Sequence, residues 1–153
     1  MKFYTISAFV FIATALKISD AFIPQPGKQY KIFSEFTFAK KYLMNKKGGF
    51  TSSDPMVYFD LSADNSDKFK WTFEKVGNLY KIKSILGNKY VGYDGDYFAH
   101  LVSSKRAALF DLGSENTDFR LPVGGGRCLG FAIQGYMVYQ NEGNICPKFD
   151  AIE

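Results

Sequence analysis

Histidine and cysteine are scarce in this 153-residue chain, which contains one His and two Cys. A structural zinc site takes four such ligands, more than His100, Cys128 and Cys146 can supply. No motif places a Ser or Cys nucleophile beside His100, so we expect a structural or surface role for this histidine. The sequence therefore predicts a protein without a metal site or a cofactor, and one that is not an enzyme.

Helical segments are also missing from the chain after its first 21 residues. No long stretch there combines helical periodicity with helix-forming and capping residues. Aromatic residues are abundant instead, with 16 Phe and 10 Tyr, and 14 Gly are available for turns. Because aromatic residues are enriched in strands and glycine is enriched in turns, the composition favours an all-β fold.

Charge is missing from residues 3–16, a mostly apolar run that follows Lys2. Ser19-Asp20-Ala21 then places small residues at the two positions that a signal peptidase reads. A membrane anchor is the alternative, but a spanning helix needs about 20 apolar residues and Lys17 ends this run early. We therefore expect residues 1–21 to be a cleaved signal peptide and the protein to be secreted, with no membrane-spanning segment in the remaining chain.

Three short markers recur in the same order, three times, after residue 28. The first is Tyr30-Lys31-Ile32, Tyr80-Lys81-Ile82 and Phe119-Arg120-Leu121; the second is Lys41-Tyr42-Leu43, Lys89-Tyr90-Val91 and Arg127-Cys128-Leu129; the third starts at Trp71, Phe110 and Phe149, each 39 residues apart. A period in this range indicates a repeat architecture. Each marker alternates apolar and polar residues, which is typical of strands. An open stack of three β-units would leave exposed edges, so we expect a closed barrel in which the last strand pairs with the first.

Alignment of the three units by these markers predicts four strands in each. The predicted strands are Tyr30–Phe33, Lys41–Met44, Val57–Leu61 and Lys70–Lys75 in the first unit; Tyr80–Ser84, Tyr90–Gly92, Tyr97–Leu101 and Ala108–Leu112 in the second; and Phe119–Leu121, Cys128–Gly130, Tyr136–Tyr139 and Lys148–Ile152 in the third.

The order of these motifs resembles the β-trefoil of the ricin-B-type lectins, over Lys28 to Glu153. The resemblance implies a single domain over residues 22–153, with six strands in a short barrel and six in hairpins that cap one end. It also implies that Trp71, Phe110 and Phe149 are core aromatics. The same fold hosts growth factors, toxins and protease inhibitors, so it does not identify a function.

The residues that bind sugar in this family have no counterpart here. The family places an Asp just after the Cys-Leu-like step, where this chain has Met44, Gly92 and Gly130. It places a Gln two residues before the late Trp, where this chain has Phe69, Ala108 and Pro147. We therefore expect no ordinary galactose site.

Cys128 and Cys146 both fall in the third unit, and an exported protein folds in an oxidising compartment. A disulfide between them is the favoured interpretation, and it would stabilise the fold by about 3 kcal/mol through the closed loop. Ricin-type units carry an internal disulfide that begins at the same Cys-Leu step, so the resemblance implies the same structural role.

Positive charge is concentrated near the start of the predicted domain. Between residues 28 and 47 six lysines accompany one carboxylate, that of Glu35; they are Lys28, Lys31, Lys40, Lys41, Lys46 and Lys47. Such a basic strip attracts sulfated glycans, anionic lipid headgroups or an acidic protein. A solvated face that keeps the protein soluble is the alternative. No aromatic-basic motif indicates nucleic acid.

These observations predict a secreted, monomeric β-trefoil that works by binding. A lectin-like module with a rebuilt site comes first, because tyrosines in the predicted hairpins have faces that could stack on sugar rings. An inhibitor of extracellular proteases, or a toxin-like or effector-like protein with a protein target, is the alternative. The candidate binding residues are Lys40, Lys41, Lys46, Lys47, Tyr97, Tyr136 and Tyr139.

Overall fold

A computed structural model of the protein describes residues 22–36, 39–45, 57–93, 98–112, 127–131, 138–142 and 149–153. These residues form strands and two short 3-10 helices, which confirms the all-β prediction. The strands are β1 (Lys31–Phe36), β2 (Ala39–Asn45), β3 (Val57–Asp60), β4 (Trp71–Val76), β5 (Leu79–Ser84), β6 (Tyr90–Tyr93), β7 (Ala99–Val102), β8 (Arg127–Phe131), β9 (Val138–Glu142) and β10 (Phe149–Ile152). The 3-10 helices are η1 (Asp67–Phe69) and η2 (Ser104–Arg106). The predicted signal peptide and the predicted strand Phe119–Leu121 lie outside the described residues.

The strands form two four-stranded antiparallel sheets, in the orders β10-β1-β2-β3 and β4-β5-β6-β7, and one pair, β8-β9. The two sheets have the same register at each junction. Phe149 pairs with Ser34 as Trp71 pairs with Ser84, Phe33 with Tyr42 as Lys83 with Tyr90, and Leu43 with Phe59 as Val91 with Leu101. The markers found in the sequence therefore occupy equivalent positions in the two sheets, which share the same strand register.

Strand β1 lies between β10 and β2 in its sheet, and Tyr30, the residue before it, makes an isolated bridge to β4. The β1–β10 ladder confirms the predicted pairing of the last strand with the first. Tyr30 and Trp71 exchange two backbone hydrogen bonds of 2.8 and 2.9 Å, and Tyr80 and Phe110 exchange two of 2.9 and 2.8 Å. These equivalent bridges connect the first marker of each unit to its third marker.

The prediction of a strand over Ala108–Leu112 is wrong, because this segment makes isolated bridges at Ala107 and Phe110 instead of a ladder. The preceding helix η2 packs on β6. It brings Ala107 opposite Gly92, and the amide of Ala108 donates to the carbonyl of Val91 at 3.0 Å. This segment therefore contacts β6 at Ala108 and β5 at Phe110.

The third strands of the three units, β3, β7 and β9, contact one another pairwise. Beneath them lies a core built from alternate residues of the strands, which point to the same side of a sheet. Its fully buried members include Ile32, Leu43, Trp71, Ile82, Val91, Phe110 and Leu129. The prediction that Trp71 and Phe110 are core aromatics is confirmed, and the indole nitrogen of Trp71 donates to the carbonyl of Leu43 at 3.1 Å.

Residues at the start of the described chain cover one side of this core. Phe22 packs edge-on against Tyr30 and Phe73, with ring centroids 5.3 and 5.6 Å away. The hydroxyl of Tyr30 accepts a hydrogen bond of 2.9 Å from the amide of Gln25.

Strands β4 and β5 are joined by a two-residue turn whose first residue, Gly77, has φ of 62°. Glycine adopts this left-handed conformation without steric cost.

Candidate functional site

The outer face of the second sheet carries a cluster of charged side chains around Tyr90. The hydroxyl of Tyr90 donates to the carboxylate of Glu74, at 2.9 and 3.0 Å from its two oxygens. The ammonium group of Lys83 lies 3.2 Å from Glu74 Oε1. Strand alternation brings these side chains together, because Lys83 is the register partner of Tyr90 while Glu74 lies two residues beyond Lys83's partner on β4.

Lys81 completes this cluster from the same face of β5. Its ammonium group donates to the carbonyl and to the hydroxyl oxygen of Ser104, at 3.0 and 3.1 Å. The ammonium groups of Lys81 and Lys83 lie 5.9 and 5.6 Å from the centroid of the Tyr90 ring. Two positive charges therefore lie over one aromatic ring, which is buried beneath them. We call Glu74, Lys81, Lys83 and Tyr90 the Tyr90 cluster.

The charge balance of the Tyr90 cluster is positive. The hydrogen bond from Lys83 to Glu74 is the main cause of a raised pKa of Lys83, and burial opposes it. Because the pKa is raised, Lys83 stays charged throughout the physiological range. Across residues 71–93 four lysines accompany Glu74 as the one carboxylate. Lys81 meets only neutral Ser104 atoms among its hydrogen-bond partners in the described structure.

The first sheet has a related but different face. Lys31 occupies the place of Lys81 and donates to Asn65 Oδ1 at 2.8 Å, so both lysines hold the loop that follows the third strand of their unit. Phe33 occupies the place of Lys83, and its ring lies 5.4 Å from that of Tyr42. The ammonium group of Lys40 lies 4.6 Å from the centroid of Phe33. The two units thus share a lysine anchor, and only the second carries the carboxylate.

The structure separates the two described lysines among the predicted binding residues. Lys40 and Lys41 are consecutive in β2, so they point to opposite faces of the strand. Lys40 lies over Phe33, whereas the ammonium group of Lys41 lies 4.8 Å from the ring of Phe59, a member of the main core. Tyr139 lies in β9. Lys46, Lys47, Tyr97 and Tyr136 fall outside the residues that the structure describes.

The positions that hold the sugar-binding Asp in ricin-type lectins are closed in the first two units. Met44 is buried against Tyr58 and Phe69. A Cβ atom at Gly92 would lie 2.5 Å from Val102 Cγ2 and 2.7 Å from the carbonyl oxygen of Arg106. Contacts this short do not occur for real Cβ atoms, so no side chain fits at Gly92 unless η2 moves. Gly130, the third position, is buried in β8.

The remaining candidates for chemistry are dispersed. His100, the single histidine, is buried in β7. The described residues contain no group of three or more His, Cys, Asp or Glu side chains placed to hold a metal ion. Among the same residues, no helix has the length and apolar character needed to cross a bilayer.

Cys128 is buried in β8, and the described part of the chain contains no free cysteine. Its predicted partner, Cys146, lies in a segment that the structure does not describe. The bridge between the two therefore stays a prediction.

Comparison with known proteins leaves the chain without an assigned family. No protein-family model matches it. A search of curated proteins finds no significant match either.

Sequence reasoning missed the Tyr90 cluster, although part of its signal was visible. Lys81-Ile82-Lys83 alternates two charges about one buried residue, which places both lysines on the solvent side of a strand. Glu74 and Ser104 could not be assigned to the same place, because their positions depend on strand register and on the course of the loop after β7.

Proposed function

We propose that the protein is an exported β-trefoil of the ricin-B type, released by removal of residues 1–21. Three observations support this architecture. The two four-stranded sheets share their registers, the bridges Tyr30–Trp71 and Tyr80–Phe110 are equivalent, and β3, β7 and β9 meet pairwise as the third strands of three related units. The first and last strands pair, as closure of a barrel requires.

We further propose that this trefoil is a non-catalytic, lectin-like binding protein whose ligand is an anionic, sulfated glycan. The observation that carries this proposal is the pair of ammonium groups, those of Lys81 and Lys83, that lie over the ring of Tyr90 on one face of β5. Lysines in such a row attract sulfate groups spaced along a polysaccharide, and the attraction is reduced by salt. A neutral galactose ligand is disfavoured, because Met44 and Gly92 leave no carboxylate to accept hydrogen bonds from sugar hydroxyls.

The test is retention of the mature protein on immobilised heparin, with elution by a salt gradient and free galactose as a second probe. We expect Lys81→Gln with Lys83→Gln to elute at clearly lower salt than the unsubstituted protein. The matched control is Lys75→Gln with Lys89→Gln, which removes the same charge from two exposed lysines outside the Tyr90 cluster, one in β4 and one just before β6. Equal loss of retention in both variants would mean that retention depends on net charge and not on the Tyr90 cluster. Absence of retention in the unsubstituted protein, or millimolar affinity for galactose, would reject the proposal.

A further inference from the structure

Glu74 is the element of the Tyr90 cluster that an anion-binding face does not need. It pairs with Lys83 at 3.2 Å, and its side chain is about two-fifths exposed, so solvent and ligands reach it. Tyr90 holds both of its oxygens by one hydroxyl, at 2.9 and 3.0 Å. The equivalent position in the first sheet is Ile152, which pairs with Lys31 as Glu74 pairs with Lys81. A carboxylate here is therefore a feature of one unit and not of the fold.

We propose that Glu74 is a built-in competitor which occupies Lys83 and restricts this face to densely sulfated glycans. The proposal rests on the proposed function, because it concerns how the same face selects its ligand. A single sulfate that approached Lys83 would have to displace the carboxylate and would also meet its negative charge. A chain with several sulfates engages Lys81 and Lys83 together, and this second contact offsets the loss of the Glu74–Lys83 pair.

Tyr90 allows Glu74 to release Lys83 to a ligand and to bind it again afterwards. Because its hydroxyl binds both carboxylate oxygens, Glu74 keeps a hydrogen-bond donor after Lys83 turns to a ligand. The carboxylate is then neither left without a partner nor driven out of its place. The lysine has a flexible four-carbon stem and moves at little cost. Ligand binding thus exchanges one partner of Lys83 for another.

The decisive variant is Glu74→Gln, which keeps the size of the side chain and an oxygen that accepts from Tyr90 but removes the charge. A partly exposed ion pair is worth up to about 1 kcal/mol, so we expect affinity for heparin to rise about two- to fivefold. We expect the gain to be larger for a sparsely sulfated chondroitin sulfate. The control is Glu153→Gln, which removes the carboxylate from another lysine pair, Lys28–Glu153 at 2.7 Å.

The gain must depend on Lys83. In a Lys83→Gln background, Glu74→Gln should add no more affinity than Glu153→Gln does. A thermal unfolding curve checks each variant for folding, and Glu74→Ser provides a second neutral variant if Glu74→Gln is unstable. Lower affinity in Glu74→Gln would mean that Glu74 positions Lys83 for the ligand, and equal affinity in Glu74→Gln and Glu153→Gln would mean that it has no local role. Either result overturns the inference but leaves the proposed function, which is tested separately by the retention of the unsubstituted protein on heparin and by its affinity for galactose.

Discussion

Gly92 shows how packing at one residue decides which ligand chemistry a unit can hold. Its Cα faces the carbonyl oxygen of Arg106, so the backbone of η2 lies where a side chain would begin. An Asp introduced at this position would meet the same backbone. The absence of a galactose-type carboxylate in the second unit is thus a consequence of how η2 packs on β6.

We expect Gly92→Ala to lower the free energy of unfolding by about 1–3 kcal/mol, the usual cost of overpacking. Chemical denaturation measures this change. Val102→Ala serves as the control background, because it removes the clashing Cγ2 methyl group together with Cγ1 and leaves the Arg106 carbonyl in place. Gly92→Ala should therefore remain destabilising there. A Gly92→Ala protein as stable as the parent would show that η2 does not lie against β6 in solution.

Two tyrosines of β6 differ in whether their hydroxyl groups have a hydrogen-bond partner in the described structure. The Tyr90 hydroxyl donates to Glu74, whereas the buried Tyr93 hydroxyl has no hydrogen-bond partner among the described residues. A buried polar group without a partner costs free energy. We expect Tyr93→Phe to leave the melting temperature unchanged or to raise it, and Tyr90→Phe to lower stability by about 1 kcal/mol. The reverse order would contradict this assignment.

The Tyr93 hydroxyl also predicts the alkaline behaviour of the protein. Burial raises its pKa above the ordinary value of 10.0. The unfolded chain therefore loses this proton at lower pH than the folded chain does, and stability is complete below about pH 10 and falls as the pH rises further. Between pH 9 and 11, Tyr93→Phe should lose less unfolding free energy than the parent. If the unfolding free energies of the two proteins fell by the same amount between pH 9 and 11, the Tyr93 hydroxyl would not be buried as described.

At the scale of elements, alternation within the markers was enough to predict most strands of the first two units. Lys41–Met44 falls within β2, and Tyr80–Ser84 falls within β5. The wrong strand at Ala108–Leu112 has the same apolar pattern, but its backbone makes one bridge to β5 at Phe110 and one hydrogen bond to β6 at Ala108. Local pattern thus predicts which residues are extended, and it does not predict which neighbour is available to pair.

The same limit applies to the candidate site. The lysine-rich run from Lys28 to Lys47 was found by counting charge along the chain. Such a count does not show which face of a strand each lysine occupies. Lys40 and Lys41 are adjacent in sequence and point apart, whereas Lys81 and Glu74 are seven residues apart and lie side by side. Recognition of the site required the β4–β5 register.

The two sheets are connected by a buried polar contact between Asn45 and Ser84. Asn45 Nδ2 donates to Ser84 Oγ at 2.7 Å and to the carbonyl of Leu86 at 2.9 Å. Ser34 is the equivalent of Ser84 in the first sheet, and its buried hydroxyl has no hydrogen-bond partner within the described structure. The residue equivalent to Asn45 in β8 is Phe131, which has no group to bond.

This difference provides a matched pair of substitutions. Ser84→Ala should lower the free energy of unfolding by about 1–3 kcal/mol, because buried Asn45 loses an acceptor. Ser34→Ala, the same change in the same register position, should have no destabilising effect. Equilibrium denaturation of both variants tests the comparison. Equal losses would mean that the Asn45–Ser84 hydrogen bond does not contribute to the contact between the sheets.

For the molecule as a whole, the two sheets that the structure describes most fully differ more at their surfaces than in their cores. Leu43, Val91 and Leu129 are equivalent and fully buried in all three units. Outside, the second unit carries the Tyr90 cluster while the first covers Phe33 with Lys40. A repeat fold can keep one hydrophobic framework and place a ligand site on a single unit, because surface side chains contribute little to closure.

The third unit contains β10, the strand that pairs with β1. Its two cysteines therefore bear on the stability of the whole fold. Cys128 is buried in β8, and β10, which follows Cys146 in sequence, pairs with β1. A disulfide between Cys128 and Cys146 would close a short loop ahead of that strand. The expected stabilisation is about 3 kcal/mol, a large share of a total of roughly 5–15 kcal/mol.

We therefore predict that the mature protein, denatured without reductant, contains no titratable thiol. Cys128→Ser combined with Cys146→Ser should lower the melting temperature by several degrees, since 1 kcal/mol shifts it by about 4 °C in a domain of this size. Reductant should lower the melting temperature of the parent protein and leave that of the double variant unchanged, which separates loss of the bridge from the effect of the serines. Two thiols per chain would show that the cysteines are not paired, and the closing strand would then depend on its β1 ladder and on the core alone.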